Sequence, residues 1–143
     1  MTAKEYLNQA NDIERKIKIL SREIEKMRML AVSTPAVRYD KERVQASGAS
    51  DPMAVTVTNI LEREDELVSL ISQYVAKKKL LESQIAEMDN VFYADVLYGK
   101  YVAGLSFFEL AHQIGKERRQ TIRIHNKALA LFREQYGNFF ENS

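Results

Sequence analysis

Apolar or small residues recur at Tyr6, Ala10, Ile13, Ile17, Leu20, Ile24, Met27 and Ala31, spaced four and three in strict alternation. A strand alternates its faces with period two and cannot use such a pattern, whereas a helix of 3.6 residues per turn gathers all of these side chains into one stripe. A stripe of period 3.5 calls for another helix against it. The chain offers one, because Ile60, Glu64, Leu67, Ile71, Tyr74, Lys78, Leu81, Ile85 and Met88 form a second seam flanked by Leu61, Val68 and Val75. Glu64 and Lys78 interrupt it, and polar seam positions fix register at some cost in stability. The spacing leaves open whether the seams close as a hairpin within one chain or pair between chains.

Local signals set the boundaries. Thr2 and Glu5 have the spacing of a capping box, which satisfies free N–H groups at a helix start, so the first helix is expected over about 3–31. Two Pro, a Gly and several Ser then break the periodicity, and residues 32–52 read as a loop. Asp51 before Pro52 predicts a restart, with Asp as N-cap and Pro at the first helical position, where its missing N–H costs nothing. The second long helix is expected over about 53–88, giving a coiled arm of residues 1–89.

After Asp89-Asn90 the pattern changes to that of a small bundle over residues 90–143. Val91, Val96, Leu97, Tyr101 and Val102 predict a broad apolar face on a helix that stops at Gly104. Ser106 and Glu109 predict a second capping box, and Phe107, Leu110, Ala111 and Ile114 face inward on a short helix ended by Gly115. A longer helix follows, with Thr121, Ile124, Ala128, Leu131 and Phe132 toward the core. The fold class is therefore all-α, a long two-helix coiled arm followed by a three-helix C-terminal domain. A short helix, a Gly turn and a longer basic helix make the helix-turn-helix arrangement, whose second helix enters the major groove of DNA.

The charge of the chain is +1 overall but unevenly placed. Between Lys116 and Arg133 six cations face one Glu, for +5, so the remainder carries −4. Cations in the first turns of a helix oppose its dipole, and intramolecular stability alone favours acids there. Phosphates supply the counter-charge, Arg bridges guanine bidentately, and Gln does the same for adenine. The expected DNA contacts are Ser106, Lys116, Arg118, Arg119, Gln120, Arg123, Asn126 and Lys127. Enzyme chemistry is not expected: the chain has no Cys and two His, and it lacks a phosphate-cradling Gly loop, a nucleophile paired with a base, and metal-ligand spacing. No cofactor and no metal are expected. His112 reads as a rim or backbone-bonding residue, and His125 as a packing or phosphate-contact residue. The aromatics between Phe92 and Phe108 are dense enough for base stacking, but at helical spacing they read as core.

The order LYGKYVAGLSFFELAHQIGKERRQTIRIHNKALALF resembles the C-terminal region of phage transcription regulators described as sigma-factor region-four-like or ArpU-like. The matching residues are Leu97, Tyr101, Gly104, Ser106, Phe107, Glu109, Leu110, Ala111, Ile114 and Gly115, then Arg123, His125, Ala128 and Leu129. The segment ERVQASGASDPMA, Glu42 to Ala54, resembles the element that precedes the second long helix in these proteins. In one place the chain departs from the pattern, with Lys116-Glu117 where such recognition helices begin with Ser or Thr. The resemblance implies a phage or prophage protein acting on transcription, on late genes, in the bacterial cytoplasm. With the basic helix it makes the leading expectation a sequence-specific regulator of double-stranded DNA whose coiled arm dimerises the protein or docks on the host RNA polymerase.

Two other readings fit the same features. A small-terminase-like subunit also joins a helix-turn-helix to helical oligomerisation, and an adaptor could meet an acidic protein through the basic helix. The arm has more apolar surface than one partner helix covers, so a homodimer is expected. No stretch approaches the roughly 20 apolar residues of a membrane span, and the N-terminus is charged within its first turn, so no membrane association and a cytoplasmic location are expected.

Overall fold

The computed structural model describes residues 1–33 and 51–140, and among these residues every regular element is helical. The helices are α1 (Ala3–Leu7), α2 (Gln9–Ser33), α3 (Pro52–Ala86), α4 (Val91–Leu97), α5 (Phe107–Ile114) and α6 (Arg118–Tyr136). A π-helical turn, Tyr98–Val102, extends α4, and a 3-10 turn, Gly137–Phe139, follows α6. Most of the expected loop 32–52 lies outside the described residues, as do residues 42–50 of the segment Glu42 to Ala54.

The helix starts follow the local chemistry. Thr2 Oγ1 accepts from Glu5 N–H at 3.1 Å while Thr2 N–H donates to Glu5 Oε2 at 2.7 Å, which closes the capping box. Asp51 Oδ1 accepts from Met53 N–H at 3.0 Å, and Pro52 is the first residue of α3. One expected helix is interrupted: at Asn8 the backbone has ψ −4, so α1 ends there and α2 begins at Gln9. Asn favours such breaks because its amide competes with the backbone, and here it accepts from Asn11 Nδ2 at 3.3 Å.

Met1–Asp12 and Tyr74–Ser143 form one compact unit, and Ile13–Gln73 forms another. The sequence boundary at residue 89 therefore falls inside the first unit, for a reason visible in its core. Ala3, Tyr6, Leu7 and Ala10 are buried with Leu81, Ile85, Met88, Leu97, Tyr101, Phe132 and Phe140. The Tyr6 ring stacks on Phe140 with centroids 4.6 Å apart, and its hydroxyl donates to buried Gln84 Oε1 at 2.8 Å. α1, α4 and α5 all pack on α6. Gly99, in the π-helical turn, permits the approach of α5, since a Cβ there lies 3.0 Å from Leu110 Cδ1.

In this unit Val96, Leu97, Tyr101, Leu110 and Ala111 are buried as the periodicity predicts. Val91, expected on the same face, is exposed, because five residues before Val96 a side chain lies roughly 140° around the helix. The aromatics also divide. Tyr101 is buried and Tyr93 and Phe107 are half-buried, whereas Phe92, Tyr98 and Phe108 are exposed.

Within Ile13–Gln73, Leu20 and Ile24 of α2 are buried, with Ile13, Ile17 and Met27 half-buried along the same stripe. On α3, Ile60, Glu64 and Leu67 are half-buried, while Ile71, expected in the seam, is exposed. Glu64 is tolerated in its seam position because Arg28 of α2 pairs with it. Arg63 lies 3.8 Å from Glu23 and 3.5 Å from Glu66. Such exposed pairs contribute about 0–1 kcal/mol each and chiefly set register.

Candidate nucleic-acid interface

Helices α5 and α6 are joined by a connection whose geometry each residue explains. Ser106 Oγ accepts from Glu109 N–H at 3.1 Å and Ser106 N–H donates to Glu109 Oε1 at 3.2 Å, so α5 starts in a capping box. It ends at Gly115 with φ 70, in the left-handed region. Lys116 N–H reaches back to Ala111 O at 3.0 Å and Gly115 N–H to His112 O at 3.3 Å, the two bonds of a Schellman motif. Glu117 is the N-cap of α6 without a side-chain capping bond, and its carbonyl accepts from both the N–H and the Oγ1 of Thr121 at 2.9 Å. Lys100 braces the start of α5 by donating to Leu105 O at 3.3 Å, with its Nζ 4.2 Å from the Phe107 ring centroid. No sequence pattern singles out this lysine.

The inner side of α6 is Thr121, His125, Ala128, Phe132 and Tyr136, all buried. Ile124 and Leu131, expected in the core, are half-buried, and His125 occupies the inward line. A phosphate contact by His125 is excluded by its 3% exposure, and packing is its role. Its ring stacks on Tyr101 at 5.6 Å and meets the Phe107 ring edge-on at 5.1 Å. Tyr101 Oη lies 2.7 Å from Nε2, and Asn126 Oδ1 lies 3.3 Å from Nδ1. Burial raises the Tyr101 phenol to about 12, so the hydroxyl keeps its proton and donates to Nε2. Nδ1–H then donates to Asn126. Burial also lowers the pKa of His125, outweighing the Asn126 bond that favours the cation, so the imidazole is neutral at pH 7.

With that side fixed inward, the expected contact residues fall outward. Lys116, Arg118, Arg119, Gln120, Arg123, Asn126 and Lys127 are all exposed. Arg119 and Arg123, one turn apart, lie opposite the line of Thr121, His125 and Ala128. Among the described residues no carboxylate forms an ion pair with Lys116, Arg118, Arg119 or Arg123. The first turn of α6 contains no acid. Lys127 leans on the half-buried Tyr93 ring, Nζ 5.7 Å from the centroid, and Asn126 has its amide oxygen tied to His125. Ser106 is exposed, and its Oγ keeps a hydrogen to donate while accepting in the capping box. His112 is exposed.

The arrangement can bind a polyanion and can present guanidinium forks to acceptors on base edges. Among the described residues no cluster of three His, Asp or Glu could hold a metal ion, and no helix is long and apolar enough to cross a membrane. No family model, no curated protein and no solved structure matches the chain.

Proposed function

We propose that α5 and α6 form a helix-turn-helix and that α6 reads double-stranded DNA from the major groove. The observation that carries this reading is the row Lys116, Arg118, Arg119 and Arg123: exposed, without carboxylate partners among the described residues, and gathered at the helix end where cations are intrinsically unfavourable. Phosphate oxygens relieve that cost, and base edges accept from the guanidinium forks. The three-residue connection through left-handed Gly115 has the length and chemistry such motifs use.

In this reading the chain is a transcription regulator, of phage origin by its resemblance to sigma region-four-like regulators, that acts on late genes with RNA polymerase as partner. Selection of bound fragments from phage and host DNA tests it. Enrichment of promoter segments is expected; enrichment of a packaging site favours the terminase-like role, and absence of any enrichment favours an acidic protein partner.

A further inference from the structure

Among its described residues the unit Ile13–Gln73 has a thin core: Leu20 and Ile24 are the buried hydrophobics, and on α3 as far as Gln73 no residue is fully buried. Yet Val57, Leu61, Val68 and Ile71 on α3 and Ile19 and Met29 on α2 are exposed, Leu61 at 55% and Val68 at 66%. The α3 residues are not scattered. Val57, Leu61, Val68 and Ile71 share four-three spacing with Glu64, so they form a second stripe on α3 along the flank of the seam that faces α2. A helix in a folded protein draws most of its stability from packing such a stripe. Between α2 and α3 there is also an open groove of about 660 Å³, lined by Met27, Leu30, Asn59 and Arg63 among others.

Charge identifies the occupant. From Ile13 to Ser33, α2 carries six Lys and Arg against three Glu, for +3; from Pro52 to Gln73, α3 carries four acids against Arg63, for −3. A surface that is positive on one helix and negative on the next is complementary to itself after a two-fold rotation. Like charges then lie diagonally and unlike charges side by side.

We infer that this unit pairs with the same unit of a second copy, the α3 stripe Val57–Leu61–Val68–Ile71 of each chain lying against α2 of the other to make a two-fold four-helix bundle. The inference stands independently of the DNA reading. Sedimentation equilibrium of the full chain at tens of micromolar tests it. The expected mass is twice 16.5 kDa. Leu61→Glu with Val68→Glu is expected to raise the dimer dissociation constant at least tenfold, and Val68→Lys alone to raise it severalfold. These side chains are exposed in the single chain, so both variants are expected to keep their helical circular dichroism as monomers. Phe108→Ser, an exposed position of the other unit, and Arg123→Ala are expected to leave the mass unchanged. A monomeric wild-type chain, a ring of many copies, or a dimer that survives both stripe variants overturns the inference. A wild-type chain that sediments as a dimer but binds no DNA counts against the DNA reading alone.

Discussion

Tyr101 and His125, on the turn after α4 and the inner side of α6, share a 2.7 Å hydrogen bond with their rings stacked. The contact is part of the buried line Thr121, His125, Ala128, Phe132 and Tyr136 that turns one side of α6 inward and leaves the cations on the other. Tyr101→Phe removes the donor and leaves Nε2 buried without a partner, for an expected loss of about 1–3 kcal/mol. Chemical denaturation of the two proteins measures it, and an unchanged midpoint would show that the bond contributes nothing net.

The same histidine makes stability depend on pH. Its folded pKa lies below that of the unfolded chain, near 6.5, because burial penalises the cation. The unfolded state therefore binds the extra proton first. The stabilisation is fully present above about pH 6.5 and is lost as pH falls below that value through the folded pKa. Melting temperature is expected to drop between pH 7 and pH 5, and the drop to shrink in His125→Gln. Glu5, whose pKa is lowered by the Thr2 backbone hydrogen bond, titrates below this window. A His125→Gln chain with an undiminished slope would assign the dependence elsewhere.

Gly115 holds the α5–α6 connection at φ 70, and a Cβ there meets nothing within 4 Å. The cost of Gly115→Ala is therefore conformational alone, about 1–2 kcal/mol. Gly115→Asn is expected to cost less, since Asn tolerates the left-handed region. Equal losses for Ala and Asn, read from thermal melts, would point to a contact rather than a backbone preference.

Tyr6 tests how the chain is divided. It is 1% exposed and touches Phe132 and Phe140 at the far end of the sequence. Tyr6→Ala is expected to cost about 3–5 kcal/mol, as for other large aromatic deletions. The loss should appear as faster amide exchange in α6 and not only near the N-terminus. Exchange confined to residues 1–12 would contradict the shared core.

What was legible in the sequence is what neighbours three or four residues apart decide. Thr2 with Glu5, Ser106 with Glu109, Asp51 with Pro52, and Gly115 all act locally, and each helix boundary they predict is close to the observed one. The periodicity of the first seam likewise puts Leu20 and Ile24 inward. Tyr6 could not be assigned to the C-terminal unit because the four-three spacing runs without a break from Tyr6 to Met27, while the partners Phe132 and Phe140 lie more than a hundred residues away. His125 was ambiguous for a related reason. Its burial depends on Tyr101 and Phe107, and an imidazole on a basic helix has no local mark of being inside. The cations of α6 were legible as exposed because each lies off the apolar line, although the lean of Lys127 on Tyr93 required the fold.

Binding of Arg123→Ala and Lys127→Ala to cognate and scrambled duplexes over a salt series tests the central claim most directly. Arg123 lies on the outer line of α6, within reach of base edges if the helix enters the groove. Its loss is expected to cost about 1–3 kcal/mol on the cognate site and to relax preference at one base position. Lys127 is further along the helix, and its loss is expected to weaken all sequences alike and to lower the salt slope by about one. If both variants bind both duplexes as the wild type does, α6 does not read DNA and its positive face serves an acidic protein partner.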